Sequence, residues 1–204
     1  MKLKTVEFAG AIGRPGQAPP GTLPQVAFAG RSNVGKSSLI NRLLERHRKQ
    51  IARVSSQPGK TQEINFYRIV AGLDGEDAEF YLVDLPGYGF ARAPAKVREA
   101  WRPLIEWYLS GTTELLGVVQ LLDARHDPTV EDMKMVDYLS SIEMPTLFVL
   151  TKVDKLKPAE RTRRLETATE QLGVTAEQIV SFSSTSGEGR DDLMASLQHL
   201  LTGD

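Results

Sequence analysis

The stretch Phe28-Ala-Gly-Arg-Ser-Asn-Val-Gly-Lys-Ser-Ser38 has the residue types and spacing to hold a phosphate chain. From Gly30 to Ser37 it fits G-x-x-x-x-G-K-S/T. A buried-strand pattern precedes it (Gln25–Ala29), and a helical pattern follows (Ser38–Leu44). Gly30 and Gly35 let the backbone wrap closely around an anion, so that successive N–H groups can point at the α- and β-phosphates. The helix N-terminus adds the attractive end of its dipole. In such a loop Lys36 reaches the β- and γ-phosphates and the Ser37 hydroxyl ligates Mg²⁺.

A phosphate loop does not by itself choose a base, and three further stretches bear on that choice. The apolar run Tyr81–Val83 ends in Asp84-Leu85-Pro86-Gly87, a D-x-x-G. Asp84 can hold Mg²⁺ through a water, and the Gly87 amide can bond a γ-phosphate. The run Thr146–Leu150 delivers Thr151-Lys152-Val153-Asp154. An ionised Asp154 only accepts hydrogen bonds, so it matches the N1–H and N2–H₂ donors of guanine and repels the N1 acceptor of adenine. The Lys152 stem can lie along one face of the base. A last strand pattern ends in Phe182-Ser183-Ser184-Thr185, where a backbone N–H near Ser184 can donate to guanine O6. Finally, Gln57-Pro58-Gly59-Lys60-Thr61-Gln62 places Thr61, rather than Ser55 or Ser56, to ligate Mg²⁺ and to bond the γ-phosphate through its amide. A loop held in this way is ordered by GTP and released after hydrolysis.

The elements that must position these residues alternate. Strand signals fall at 25–29, 64–71, 79–83, 115–122, 146–150 and 178–182, and helical patterns at about 36–46, 95–110, 129–141, 158–172 and 188–201. The expected fold is therefore α/β: a three-layer α/β/α P-loop NTPase with a mostly parallel six-stranded sheet. Gly72–Asp77 is too short for a crossover helix, so the strands on either side should form a hairpin, giving one antiparallel strand. Residues 1–24, with a short strand at Thr5–Ile12 and a Pro/Gly-rich loop, read as an arm packed on a domain spanning 25–204. Pro103 interrupts the apolar face of Val97, Trp101, Leu104, Ile105 and Tyr108, so that helix should kink or restart near residue 102. Trp101 and Trp107 read as packing residues.

Composition narrows the function classes. The chain has 204 residues, with 25 Lys+Arg against 26 Asp+Glu and no cysteine. A charge near zero argues against wholesale electrostatic capture of nucleic acid. The absence of cysteine excludes a disulfide framework, a thiolate nucleophile and a cysteine-ligated zinc. No apolar run approaches the ~18 residues of a membrane span, and no signal-peptide core is visible. The expectation is a soluble, cytoplasmic protein.

Taken together, GRSNVGKSSLIN, PGKTQEINFY, DLPGYGFA, LLDARHDP, LTKVDK and FSSTSGEG resemble the EngB (YihA/YsxC) family of bacterial GTPases, in the Era/Obg-type translation-factor-related group. The resemblance covers about residues 4–201. It implies GTP binding with Mg²⁺, slow hydrolysis, and a role in assembling the large ribosomal subunit from its rRNA and proteins. Division septum formation, with hydrolysis incidental, is the alternative role. The further expectation is a monomer without membrane contact. Carried onto this sequence, it places Gly30, Arg31, Ser32, Asn33, Val34, Gly35, Lys36, Ser37, Gly59, Lys60, Thr61, Gln62, Glu63, Asp84, Leu85, Pro86, Gly87, Thr151, Lys152, Val153, Asp154, Phe182, Ser183 and Ser184 at the nucleotide. Ser37 and Thr61 would bind the metal, and Lys36, Thr61 and Gly87 would face the transferred phosphoryl group. Thr151 stands where other GTPases have asparagine, as the family's own TKxD pattern does.

In Ras-type switches a glutamine follows the D-x-x-G glycine and orients the attacking water; here Tyr88 follows Gly87. A phenol there either bonds a water or retracts, and low intrinsic turnover follows. Asn33 offers an amide oxygen to a K⁺ beside the phosphates, or merely shapes the loop. Two basic runs, Arg42 to Arg53 and Lys155 to Arg164, are read as solvated faces. His126 reads as a hydrogen-bonded loop residue.

Overall fold

Strand β2 (Gln25–Gly30) is buried at every position because both of its faces are covered. Val26 and Phe28 enter one apolar cluster, and Ala27 and Ala29 enter another on the opposite side of the sheet. Such a strand reads as continuous rather than alternating hydrophobicity, as a central parallel strand should. The computed structural model describes residues 1–45, 51–52, 63–73, 75–89 and 102–203. Around β2 lie β1 (Lys2–Ile12), β3 (Ile64–Leu73), β4 (Glu76–Asp84), β5 (Leu115–Asp123), β6 (Thr146–Thr151) and β7 (Ile179–Phe182), in the order β1-β3-β4-β2-β5-β6-β7. β3 is antiparallel to both β1 and β4, and the β4–β2, β2–β5, β5–β6 and β6–β7 pairs are parallel.

The described helices are α1 (Lys36–Leu43), α2 (Arg102–Gly111), α3 (Val130–Ser141), α4 (Pro158–Leu172) and α5 (Arg190–Thr202). Leu39, Ile40 and Leu43 of α1 pack with Leu193, Met194 and Leu197 of α5 on one face of the sheet. Leu104, Ile105 and Tyr108 of α2, with Leu139 of α3, cover the other face. Ala168 and Leu172 of α4 pack with Phe148 and Leu150 toward the β7 edge. These are the three layers that strand–helix alternation predicts.

One difference from the sequence reading has a physical cause. The sheet has seven strands rather than six, because the arm contributes β1, hydrogen-bonded to β3 from Lys2↔Gly72 to Ile12↔Ile64. Register shifts at Leu3/Thr5 and Phe8/Gly10 break its period-2 pattern, which concealed its length. The helix around Pro103 is described from Arg102 to Gly111, so the expected kink or restart near residue 102 falls at the edge of the described residues. Residues 95–101 of the expected helix, Trp101 among them, lie outside the described residues. Trp107 packs against the core as expected.

Candidate functional site

The P-loop joins the end of β2 to α1, and its backbone is held from outside. A Cβ on Gly30 would lie 2.9 Å from a Val34 methyl and 3.2 Å from the Leu121 carbonyl, so only glycine fits there. Gly35 caps α1 in the left-handed region, at φ 105°, and no side chain caps that helix. Its N-terminal amides therefore take no side-chain acceptor. The loop carbonyls are engaged in turn. Tyr88 N–H donates to Gly30 O (3.4 Å), and Val34 N–H to Arg31 O (3.2 Å). The Lys152 ammonium donates to Asn33 O (2.6 Å), and the Thr151 hydroxyl to Val34 O (2.6 Å). With those carbonyls engaged, the loop's chemistry toward an anion rests on its amides. Asn33 sits at φ 64° with an exposed side chain, a backbone region in which asparagine is enriched.

Three clusters of charged residues converge on the same edge of the sheet. Lys36 and Asp84, 9% and 4% exposed, form an ion pair. The Lys152 ammonium also bonds Asp123 Oδ2 at 2.8 Å, and Arg125 bonds the same carboxylate through both oxygens. Burial alone would raise the Asp123 pKa, but the bonds from Arg125 and Lys152 outweigh it and hold the carboxyl well below the usual carboxylate range. Asp154 accepts from the Ser183 hydroxyl at 2.8 Å and pairs with Lys155 at 3.1 Å. Partial desolvation pushes its carboxyl up, yet these two partners bring it below its ordinary value. Asp154 is therefore an ionised acceptor at neutral pH. The buried Ser183 hydroxyl also accepts from the Thr185 and Ser186 amides (3.2 and 3.1 Å), which shapes the loop carrying Ser184.

The D-x-x-G segment lies directly on the P-loop. Ser32 N–H donates to Tyr88 O at 2.8 Å, and a Cβ on Gly87 would lie 3.2 Å from Ser32 N. The Tyr88 side chain takes the second course open to it and retracts. It is 2% exposed, and its hydroxyl donates to Asp132 Oδ1 (2.9 Å) and accepts from the Gln120 amide. Burial first, and then the Asp132 charge, push its pKa well above the ordinary phenol value, so it is a neutral donor and no base.

The structure thus brings Gly30–Ser37, Asp84–Gly87, Thr151–Asp154 and Phe182–Ser184 to one edge. Val34, Leu85, Thr151, Val153 and Phe182 are buried, so their contribution to a ligand is limited to backbone atoms or to shaping the walls. Glu63 is exposed at the foot of β3. Gly59, Lys60, Thr61 and Gln62 lie outside the described residues, as do Arg46, Arg48, Lys49 and Arg53 of the first basic run. Arg161 and Arg164 of the second run are ion-paired with Glu188 and Asp127, and His126 is exposed. Sequence reasoning missed Asp123, Asn41, Gln120 and Asp132. Asn41 accepts from the Ile51 and Ala52 amides and donates to Ala52 O, anchoring the chain beyond α1. An asparagine on an otherwise apolar helix face was the available signal. The T-x-x-D of Thr129–Asp132 is a capping box, legible as a helix start but not as a partner for Tyr88.

Among the described residues, no group of three or more His, Cys, Asp or Glu is placed to hold a metal ion. The Ser37 hydroxyl and the Asp84 carboxylate are hard oxygen donors and too few for an all-protein cage. That set fits Mg²⁺, which keeps several waters and takes substrate phosphate oxygens as ligands.

The Asp123 clamp has a pH signature. Folding lowers its pKa, so its stabilisation is fully present above about pH 4 and is lost as pH falls toward the lower folded value. Asp123→Asn should cost on the order of 1–3 kcal/mol at pH 7 in urea unfolding. The gap from the parent should narrow steadily between about pH 4 and pH 2. A gap independent of pH would remove the Asp123 charge from the clamp.

Comparison with known proteins bears on the same residues. The family model described as 50S ribosome-binding GTPase matches residues 25–152, from the start of β2 through Lys152. The probable GTP-binding protein EngB of Gemmatimonas aurantiaca is 48% identical over 98% of this chain and 95% of its own length. Among solved structures, a probable GTP-binding protein EngB superposes with TM-score 0.69 at 23% identity, over 88% of this chain and all of that one. A point variant of Aquifex aeolicus Era, bound to GDP·AlF4⁻, does so with TM-score 0.70 at 22% identity, over 89% of this chain and 57% of that one. The two structural likenesses establish the fold, and the sequence matches establish the family: the chain belongs to the EngB family of GTP-binding proteins and is a P-loop GTPase.

Proposed function

We propose that this GTPase is a slowly hydrolysing switch that assists assembly of the large ribosomal subunit, with its GTP form bound to the pre-ribosomal particle. The observation that carries the switch reading is the direct stacking of the D-x-x-G segment on the P-loop, beside an Asp154 held ionised by Ser183 and Lys155. The ribosomal part draws support from the family's description as 50S ribosome-binding GTPases. In this reading the amides of Gly30–Ser37 and the Lys36 ammonium surround the phosphates, Asp154 accepts from guanine N1 and N2, and an amide near Ser184 donates to O6. Ser37 and Asp84, with Thr61, serve Mg²⁺, which when bound offsets charge on the phosphate oxygens. Lys36 and Asp84 are both nearly buried, so Lys36 cannot leave for a phosphate unless Asp84 gains another cation. Phosphate and metal binding are coupled through that pair.

Hydrolysis adds a water oxygen to the γ-phosphorus and breaks its bond to the β–γ bridging oxygen, giving GDP and phosphate. Tyr88 is buried and neutral and supplies no base, so turnover depends on charge stabilisation and is slow. A K⁺ held by the exposed Asn33 amide would add positive charge there.

Sedimentation with purified large subunits tests the ribosomal role: the protein should co-sediment with a non-hydrolysable GTP analogue and not with GDP. Equal binding in both states, or none, would leave the division-site role as the better account. Asp154→Asn should weaken GTP binding by about 2–4 kcal/mol and favour xanthine nucleotide, whose C2 oxygen accepts from the new amide. GTP affinity within twofold of the parent would overturn the guanine assignment. Replacing KCl by NaCl at equal ionic strength should slow hydrolysis in the parent but not in Asn33→Ala, and a rate identical in both salts sinks the cation.

A further inference from the structure

The Tyr88 side chain turns away from the P-loop into a socket that the switch reading does not use. Three polar side chains meet there in the core: Tyr88, 2% exposed; Gln120 of β5, fully buried; and Asp132 of α3, 4% exposed. The phenol donates to Asp132 Oδ1 at 2.9 Å and accepts from Gln120 Nε2. The other Asp132 oxygen is already committed to α3, accepting from the Thr129 amide at 2.9 Å and the Thr129 hydroxyl at 2.7 Å. A buried carboxylate at a helix N-terminus with three donors is a rigid anchor, because losing any donor leaves charge uncompensated.

The backbone of the same residue is tied to the phosphate loop. Ser32 N–H donates to Tyr88 O, Tyr88 N–H donates to Gly30 O, and a Cβ on Gly87 would lie only 3.2 Å from Ser32 N. Lys36, the loop's ammonium, is meanwhile paired with Asp84 at the start of the segment. No γ-phosphoryl group fits between Gly87 and Ser32 in this arrangement. To bring its amide to one, Gly87 must withdraw from the P-loop, and Tyr88, the next residue along the chain, must shift with it. The phenol is the tie that resists.

We propose that Gln120 and Asp132 are positioning residues that act through Tyr88. Their socket latches the D-x-x-G segment onto the P-loop and sets how much of the γ-phosphate's binding energy is spent in releasing it. The latch therefore lowers affinity for the triphosphate relative to the diphosphate. It also links that release to the N-terminus of α3, whose capping carboxylate loses a donor when the phenol leaves. The inference rests on the placement of Gly87 at the γ-phosphate proposed above and on no ribosomal role.

The test is the ratio of affinities for a non-hydrolysable GTP analogue and for GDP, measured with fluorescent nucleotides on the full chain without ribosomes. Tyr88→Phe keeps the ring and its packing and removes only the hydroxyl. It should raise the ratio roughly three- to tenfold in favour of the analogue, about 0.7–1.4 kcal/mol. Asp132→Asn keeps a single acceptor oxygen for the tasks that two now share, and should do the same. The double variant should add little to either, since both remove one interaction. Thr129→Ala removes a donor from the other Asp132 oxygen and keeps the phenol's own bond, so it should lower the melting temperature and move the ratio by much less than Tyr88→Phe does. A ratio within twofold of the parent in Tyr88→Phe, or a shift toward GDP, overturns the latch. So does a Thr129→Ala shift as large as that of Tyr88→Phe, which would make the effect one of helix stability. Failure of the guanine assignment would appear elsewhere, as unchanged GTP affinity in Asp154→Asn.

Discussion

A phosphate loop needs amides that can meet a ligand, so much of its shape has to be fixed through its carbonyls. Two amides of this loop, those of Ser32 and Val34, also donate within the protein. Here the fixing through carbonyls is done by the segments proposed to meet the rest of the nucleotide. Thr151 and Lys152 hold Val34 O and Asn33 O, and Tyr88 holds Gly30 O. The Lys152 ammonium needs a counter-charge to do this in a half-buried place, and Asp123 at the end of β5 supplies it. P-loop geometry and the position of Asp154 are thus two ends of one set of bonds. A disturbance at Lys152 reaches both.

The same constraint accounts for how charge is distributed. Several charged groups expected to meet the ligand already have protein partners: Lys36 has Asp84, Lys152 has Asp123, and Asp154 has Ser183 and Lys155. A buried charge without a partner would cost several kcal/mol, so these pairings keep the site folded around a polar cleft. They also differ in kind. In the proposed binding mode the Asp123 and Asp154 pairings orient groups and can persist when a ligand binds, whereas the Lys36–Asp84 pair has to be exchanged.

Much of this was legible in the sequence wherever the signal is local. The glycines and lysine of the P-loop, the D-x-x-G, the T-K-x-D and the strand–helix alternation are short-range patterns whose geometry the chain imposes on itself. What stayed hidden depends on tertiary contact. The direction of the Tyr88 ring is decided by Gln120 and Asp132, residues 32 and 44 positions away in the chain. Asp123 looked like an ordinary strand end until Lys152 arrived from the next strand over. β1 was visible as a strand but not as a sheet member, because its two bulges erase the alternation that would have given its register.

The topology explains why these distant residues meet. From β2 the chain passes through α1 on one face to reach β4 on one side, and the return through α2 on the opposite face delivers β5 on the other side of β2. The loops leaving β2 and β5 therefore diverge, and the crevice between them opens at the C-terminal ends of the parallel strands, where open α/β sheets bind ligands. Gly30, Asp84, Asp123 and Thr151 each stand at the last position of their strands. Parallel pairing sets them side by side, as with Asp123 opposite Thr151 and Phe28 opposite Asp84. β1 and its bulges join at the far edge beyond β3, where the added pairing changes the sheet's width without altering which strand ends face the crevice. The chemistry is gathered where the strand order reverses, and the extra strand is placed where it does not.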